Sequence, residues 1–147
     1  MPFEIRELTE LSAIEVKLWG KVSAADIRSL AAAVMNLAKT SGLRRALVDC
    51  RNYLGGAGFR EVLSLAREVT DRPVSERGRE AFIMPTDAYA AADVTFYIHT
   101  AASRGTIARM FATREAAVGW LTGSDHEIPT ERPACEADLS FKSGRAV

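Results

Sequence analysis

Cysteine is nearly absent from this 147-residue chain, with only Cys50 and Cys135 present. Cys50 falls in an apolar run and Cys135 in a polar one, so a disulfide framework is excluded and both are read as reduced thiols. Histidine is equally scarce. Neither His99 nor His126 has a cysteine or aspartate at metal-ligand spacing, whereas a zinc site needs three or four converging ligands. No metal and no cofactor are therefore expected. There is no excess of charge, since 19 Lys and Arg balance 19 Asp and Glu. A nucleic-acid surface works by displacing counterions with a basic surplus, so nucleic acid is not an expected partner. No apolar stretch approaches the roughly 20 residues that span a bilayer. The first ten residues carry Glu4, Arg6, Glu7 and Glu10 where a signal peptide has its apolar core. The expectation is a cytoplasmic protein without a transmembrane segment.

What is present suits one ordinary domain. The chain is 48% hydrophobic and 26% charged, close to the globular average, and a chain of this length buries roughly 68–70% of its unfolded surface. Phe3–Leu8 and Ile14–Val22 read as strands joined through Leu11, Ser12 and Ala13, which predicts an antiparallel hairpin. In the second strand Ile14, Val16 and Leu18 alternate with Glu15, Lys17 and Trp19, the signature of burial on one side only. Ser23 with Asp26 forms a capping box. Ile27, Leu30, Val34 and Leu37 then follow at helical spacing, and Gly42 supplies the left-handed C′ residue. A helix over Ala24–Ser41 follows.

Arg45–Cys50 is a short apolar run typical of a deeply buried strand, and Arg51–Gly58 reads as a glycine-rich turn. Phe59, Val62, Leu63, Ala66 and Val69 form the stripe of a second helix, stopped by Pro73. Ala81–Met84 is a third apolar strand. Asp87 caps a helix over Ala88–Arg104 whose apolar face is Ala91, Val94, Ile98, Ala101 and Ala102. Thr106–Phe111 is the last strand, and Thr113 caps a short helix with Ala117, Trp120 and Leu121 inward. The fold class is therefore α/β: a mixed sheet of about five strands, an antiparallel hairpin followed by parallel βαβ units, with about four helices. Residues 1–123 form the domain. From 124 to 147 periodicity is lost, and that stretch reads as an appendage, flexible or docked on the domain.

The segments LVDCRNYLGG and ARMFATREAAVGWL carry a family resemblance. With Phe111, Glu115, Ala116, Trp120 and Leu121 at the matching positions, the chain resembles the SpoIIAA-like branch of the STAS family. The resemblance implies a mixed sheet packed with helices and a non-enzymatic role. Its better-known members are anti-sigma-factor antagonists switched by phosphorylation of a serine in the loop after the central strand. Here that loop, Arg51–Arg60, holds no Ser or Thr. Ser64 lies a full turn into the helix, opposite its apolar stripe. The scaffold carries over and the serine switch does not.

The candidate site is the same loop, because parallel α/β sheets place ligands beyond the carboxyl ends of their strands. Asp49, Arg51, Asn52, Tyr53, Gly55, Gly56, Gly58 and Arg60 are its ligand- or partner-binding candidates. The glycines either serve tight-turn dihedrals or let an anion approach a helix N-terminus. Asp49 either anchors the loop or faces a ligand. Tyr89, Phe96 and Tyr97 lie outside the expected apolar stripe of the third helix, as an interface or as a seat for the tail. Trp19 either covers its sheet or meets a partner. Neither a Ser-His-Asp order nor an acid pair is assignable, so no catalytic residue and no enzyme activity are expected. The expected function is a regulatory module acting through contacts with a protein partner or with a second copy as a homodimer. The alternative is a carrier or sensor of a small anionic or lipid-like ligand at the glycine-rich loop.

Overall fold

The computed structural model describes residues 2–73 and 78–123; His126, Cys135 and the expected appendage lie outside the described residues. The chain runs β1 (Phe3–Leu8), β2 (Ala13–Gly20), α1 (Ala24–Ser41), β3 (Arg45–Tyr53), α2 (Phe59–Thr70), β4 (Arg79–Ile83), α3 (Ala88–Ser103), β5 (Ile107–Phe111) and α4 (Arg114–Thr122). The strands lie side by side in sequence order. β1 is antiparallel to β2, and all later pairs are parallel. This is the expected mixed sheet. The capping box at α1 forms as its residues predict: Ser23 accepts from the Asp26 N–H, the Asp26 carboxylate accepts from the Ser23 N–H, and Gly42 closes the helix at φ 75°.

β3 runs three residues past the expected Cys50. A bulge between Lys17 and Trp19 shifts the β2 register, after which Trp19 pairs Asn52 and Gly20 pairs Tyr53. The supposed turn residues 51–53 thus remain in the sheet, because β2 still has backbone groups to offer them.

Side-chain alternation gives the sheet two differently covered faces. Ile14, Val16, Leu18, Cys50 and Phe82 point to a front layer shared with α1, α2 and α3. Leu47, Ala81 and Ile83 point backward and pack under Ala117, Trp120 and Leu121 of α4. Phe111 and Trp120 meet there with ring centroids 5.5 Å apart, and the Arg79 guanidinium lies 5.6 Å from the Trp120 ring. Two inward faces differ from expectation. In α3 the buried residues are Ala90, Val94, Tyr97, Ile98 and Ala101, while Ala102 is exposed. In α2, Phe59 leaves the stripe and stands 58% exposed.

The first half of β2, Ala13–Val16, is buried on both sides rather than one, while Lys17 is half-buried and Trp19 exposed. Glu15 is fully enclosed on the back face, where Arg6 Nε donates to Oε1 at 2.6 Å and Arg114 Nη1 donates to Oε2 at 2.5 Å. The alternation pattern assigned Glu15 to water, but β1 and α4 each bring an arginine over it. Burial pushes this carboxyl upward, yet the two guanidinium partners together outweigh burial and hold it below the ordinary carboxylate range. A carboxylate whose folded pKa is depressed contributes stability that is lost as pH falls through that pKa. Arg114→Met should destabilise the domain by roughly 1–3 kcal/mol at pH 7 and move the acid-side loss to higher pH. Urea unfolding between pH 3 and 7 checks this. A parallel offset of the two curves would contradict it.

Candidate functional site

The C-terminal ends of the parallel strands are tied together by short polar contacts. Asp49 is buried on the back face and accepts from Arg51 twice through the guanidinium, at 3.0 and 2.7 Å, and once through the Arg51 N–H at 3.1 Å. The Arg51 hydrogen bond is the main cause holding Asp49 below its ordinary value. Both side chains are thereby committed to shaping the exit of β3. Tyr53 turns the other way into the core, where its hydroxyl donates to Asp93 Oδ2 at 3.0 Å.

The glycines of this loop have specific work. Val22 N–H donates to the Gly55 carbonyl at 2.8 Å, and Gly55, at φ 83°, lies beside Ala90 and Asp93 of α3. Gly56 adopts φ 116°, and a Cβ there would lie 3.0 Å from the Val22 carbonyl oxygen. Only glycine combines that dihedral with that approach. Gly58 occupies the N-cap of α2 at φ 87° without a side-chain cap. The β2–α1 connection, the β3–α2 loop and the start of α3 therefore form one platform.

Four large apolar residues stand out from this platform. Trp19 is 42% exposed, Leu54 44%, Phe59 58% and Tyr89 84%. Each lies at or just past the C-terminal end of β2, β3 or β4. Phe59 leans on the half-buried Phe96 with centroids 4.9 Å apart. Of the expected residues, Asn52, Gly56, Gly58, Arg60 and Tyr89 are exposed here. Asp49 and Gly55 are buried structural elements. Tyr53 and Tyr97 are core residues, so the proposed outward role of Tyr97 is corrected: its hydroxyl finds Glu80, which makes its burial affordable. Sequence reasoning passed over Leu54, and its signal was plain, an apolar side chain in a glycine-rich loop with no stripe to join.

A second feature is internal. A cavity of about 120 Å³ runs through the front layer between the sheet and α1, α2 and α3. Its walls are mainly apolar, among them Val16, Val48, Leu65 and Val94. Glu80 and Tyr97 interrupt that lining, with Tyr97 Oη donating to Glu80 at 3.0 and 3.3 Å. Burial pushes Glu80 up to about 7, against the Tyr97 hydrogen bond and the positive charge of Arg72. The Thr106 hydroxyl, also in the lining, is buried and has no hydrogen-bond partner among the described residues. Cys50 is buried, and burial raises its thiol far above the ordinary range. No cluster of three or more His, Cys, Asp or Glu able to hold a metal occurs among the described residues. None of their helices is long and apolar enough to cross a membrane.

No family model and no curated protein matches the chain. Solved structures do match. An uncharacterised DUF3478-family protein with a SpoIIAA-like fold from Shewanella loihica aligns with a TM-score of 0.55 at 14% identity, covering 81% of this chain and 91% of that one. The Bacillus cell-fate determinant SpoIIAA in its phosphorylated form aligns with a TM-score of 0.50 at 14% identity, covering 81% and 98%. The chain has a SpoIIAA-like fold. On that scaffold the loop after the central strand is the one carrying Leu54 and the three glycines, and Trp120 and Leu121 hold the last helix to the back of the sheet.

The Glu80 carboxyl titrates in an accessible window. Its ordinary value is 4.5 and its folded value about 7, so between them the folded state retains a proton that the unfolded state has released. Stability from this group is full below pH 4.5 and is lost as pH rises through 7. Glu80→Gln should remove that dependence and gain on the wild type by on the order of 2–3 kcal/mol at pH 8 relative to pH 4.5. Unfolding at the two pH values measures it. An identical wild-type-to-variant difference at both would refute the assignment.

Proposed function

We propose that this SpoIIAA-like domain is a non-enzymatic, cytoplasmic binding module that meets a protein partner through the strand-end platform. The observation that carries the proposal is the exposure of Trp19, Leu54, Phe59 and Tyr89, each on a segment at the C-terminal end of the parallel strands. Aromatic side chains on a fixed backbone dominate binding energy at protein interfaces, and exposed apolar groups gathered in one place mark interaction surfaces. The acidic group at the exit of β3 is already engaged. Asp49 is paired with Arg51 and the Cys50 thiol is buried, which favours recognition over chemistry. A structural neighbour is a cell-fate determinant seen in its phosphorylated form, which supports a regulatory setting. Because Arg51–Arg60 lacks Ser and Thr, association here does not depend on a phosphorylated loop serine.

A small anion at the start of α2 is the second reading, favoured by the absence of a side-chain cap at Gly58 and by the positive end of the helix dipole. Titration with inorganic phosphate separates the readings: anion binding shifts the amides of Phe59–Glu61, and the protein-partner reading leaves them in place.

A photo-crosslinking residue at position 54 should capture a defined partner in cells, and one at the exposed Ser29 of α1 should not. Against the identified partner, Leu54→Asp with Phe59→Ser should weaken binding at least about 30-fold, the effect of losing a hot spot, with the melting temperature nearly unchanged. Capture from position 29 alone, or wild-type affinity in the variant, would overturn the assignment.

A further inference from the structure

The cavity lies behind the platform and continues to the opposite end of the sheet, so it is a separate site. Its cause is a patch of small residues in register. Ala46 pairs Glu80 and Glu80 pairs Ala108, which places two alanines either side of Glu80 on the front face. Gly78, one step outward on the same face, packs so closely on Arg44 that a Cβ would run into the Arg44 carbonyl. Ala31 and Ala38 of α1 face this region. Ala46 beside Glu80 and the two alanines on the covering helix leave the space unfilled. Ala46 and Val48, although central in the sheet, keep intermediate exposure.

The open end has a defined chemistry. The cavity shares Met35, Leu43, Arg44 and Arg72 with a surface recess that also carries Lys39. Among the described residues the rim thus offers the cations of Lys39 and Arg44, while the interior lining is mainly apolar. Thr106, at the N-terminal edge of β5 and on the level of Gly78, adds a buried hydroxyl without a partner among the described residues. An unsatisfied buried hydroxyl is costly and is met by water or by a ligand's polar group. The volume equals about four waters at roughly 30 Å³ each, and a dry cavity of about 150 Å³ accepts benzene.

We propose that this cavity binds a free medium-chain carboxylate, with the alkyl chain between α1 and β3 and the carboxylate at the rim of Lys39 and Arg44. The apolar lining selects the chain. The rim cations select a single negative charge. Near pH 6 the neighbouring Glu80 carboxyl still holds its proton and does not oppose the ligand's charge.

Calorimetry at pH 6 with straight-chain carboxylates from butanoate to decanoate tests this on the full chain. Each added methylene should tighten binding about fourfold, the value of one buried CH₂, until the cavity is full near five to six carbons, where affinity levels. Hexanol should bind at least about tenfold more weakly than hexanoate. Arg44→Ala, at an exposed position, should reduce hexanoate to the level of hexanol while leaving the melting temperature in place. Ala46→Leu should abolish binding by filling the space. Affinity independent of chain length, equal binding of hexanol and hexanoate, or an unaffected Arg44→Ala variant would each overturn the proposal. Co-sedimentation with phosphatidylglycerol vesicles without hexanoate binding would also overturn it, assigning the basic rim to a lipid surface.

Discussion

Sequential strand order is the constraint on which the other features depend. When each parallel strand is laid beside the one before it, crossovers of one hand return every connecting helix to the same side of the sheet. α1, α2 and α3 thus share the front, and the back is left to α4, a helix of 9 residues. Among the described residues one short helix lies over the back of five strands. Beside it the back face carries charge pairs, Arg6 and Arg114 on Glu15 and Arg51 on Asp49. Breaking a buried ion pair by removing one partner is strongly destabilising. The Glu15 clamp therefore ties the first hairpin to the last helix across 99 positions of sequence.

The front has the opposite difficulty, an abundance of cover that does not close. Helices sit about one side-chain layer above a sheet, and small residues facing one another across that layer leave volume behind. Ala46 beside Glu80 and Ala31 and Ala38 along α1 do this here. At the other end the loops are drawn tight by Gly55, Gly56 and the Tyr53–Asp93 bond, and apolar side chains with no room inside are turned outward. One architecture thus produces an internal apolar space opening at the strand N-termini and an external apolar surface at their C-termini.

Local chemistry was the legible part of this protein. The Ser23–Asp26 box, the Gly42 stop and the Asp87 and Thr113 caps act within a turn of chain, and the structure has all of them. Fold class and the expected SpoIIAA-like architecture followed from element order together with the resemblance of the LVDCRNYLGG and ARMFATREAAVGWL segments. What stayed hidden depends on contacts between distant segments. Glu15 looked solvated because alternation carries no information about Arg114. Tyr97 looked outward because its partner, Glu80, lies on another element. Phe59 looked like a stripe residue because periodicity does not reveal where a helix stops meeting the sheet. The cavity is a matter of register between β3 and β4 and of what α1 lays over them, and no single segment encodes it.

The central claim is that recognition occurs at the strand-end platform. Amide hydrogen exchange on the full chain, with and without its crosslinked partner, tests this most directly. The account predicts protection at Trp19–Val22, Tyr53–Arg60 and Asp87–Ala90, with α4 and the Leu43–Arg45 segment unchanged. Protection centred on α4 or on the outer edge of β5, with the platform exchanging as in the free protein, would contradict it.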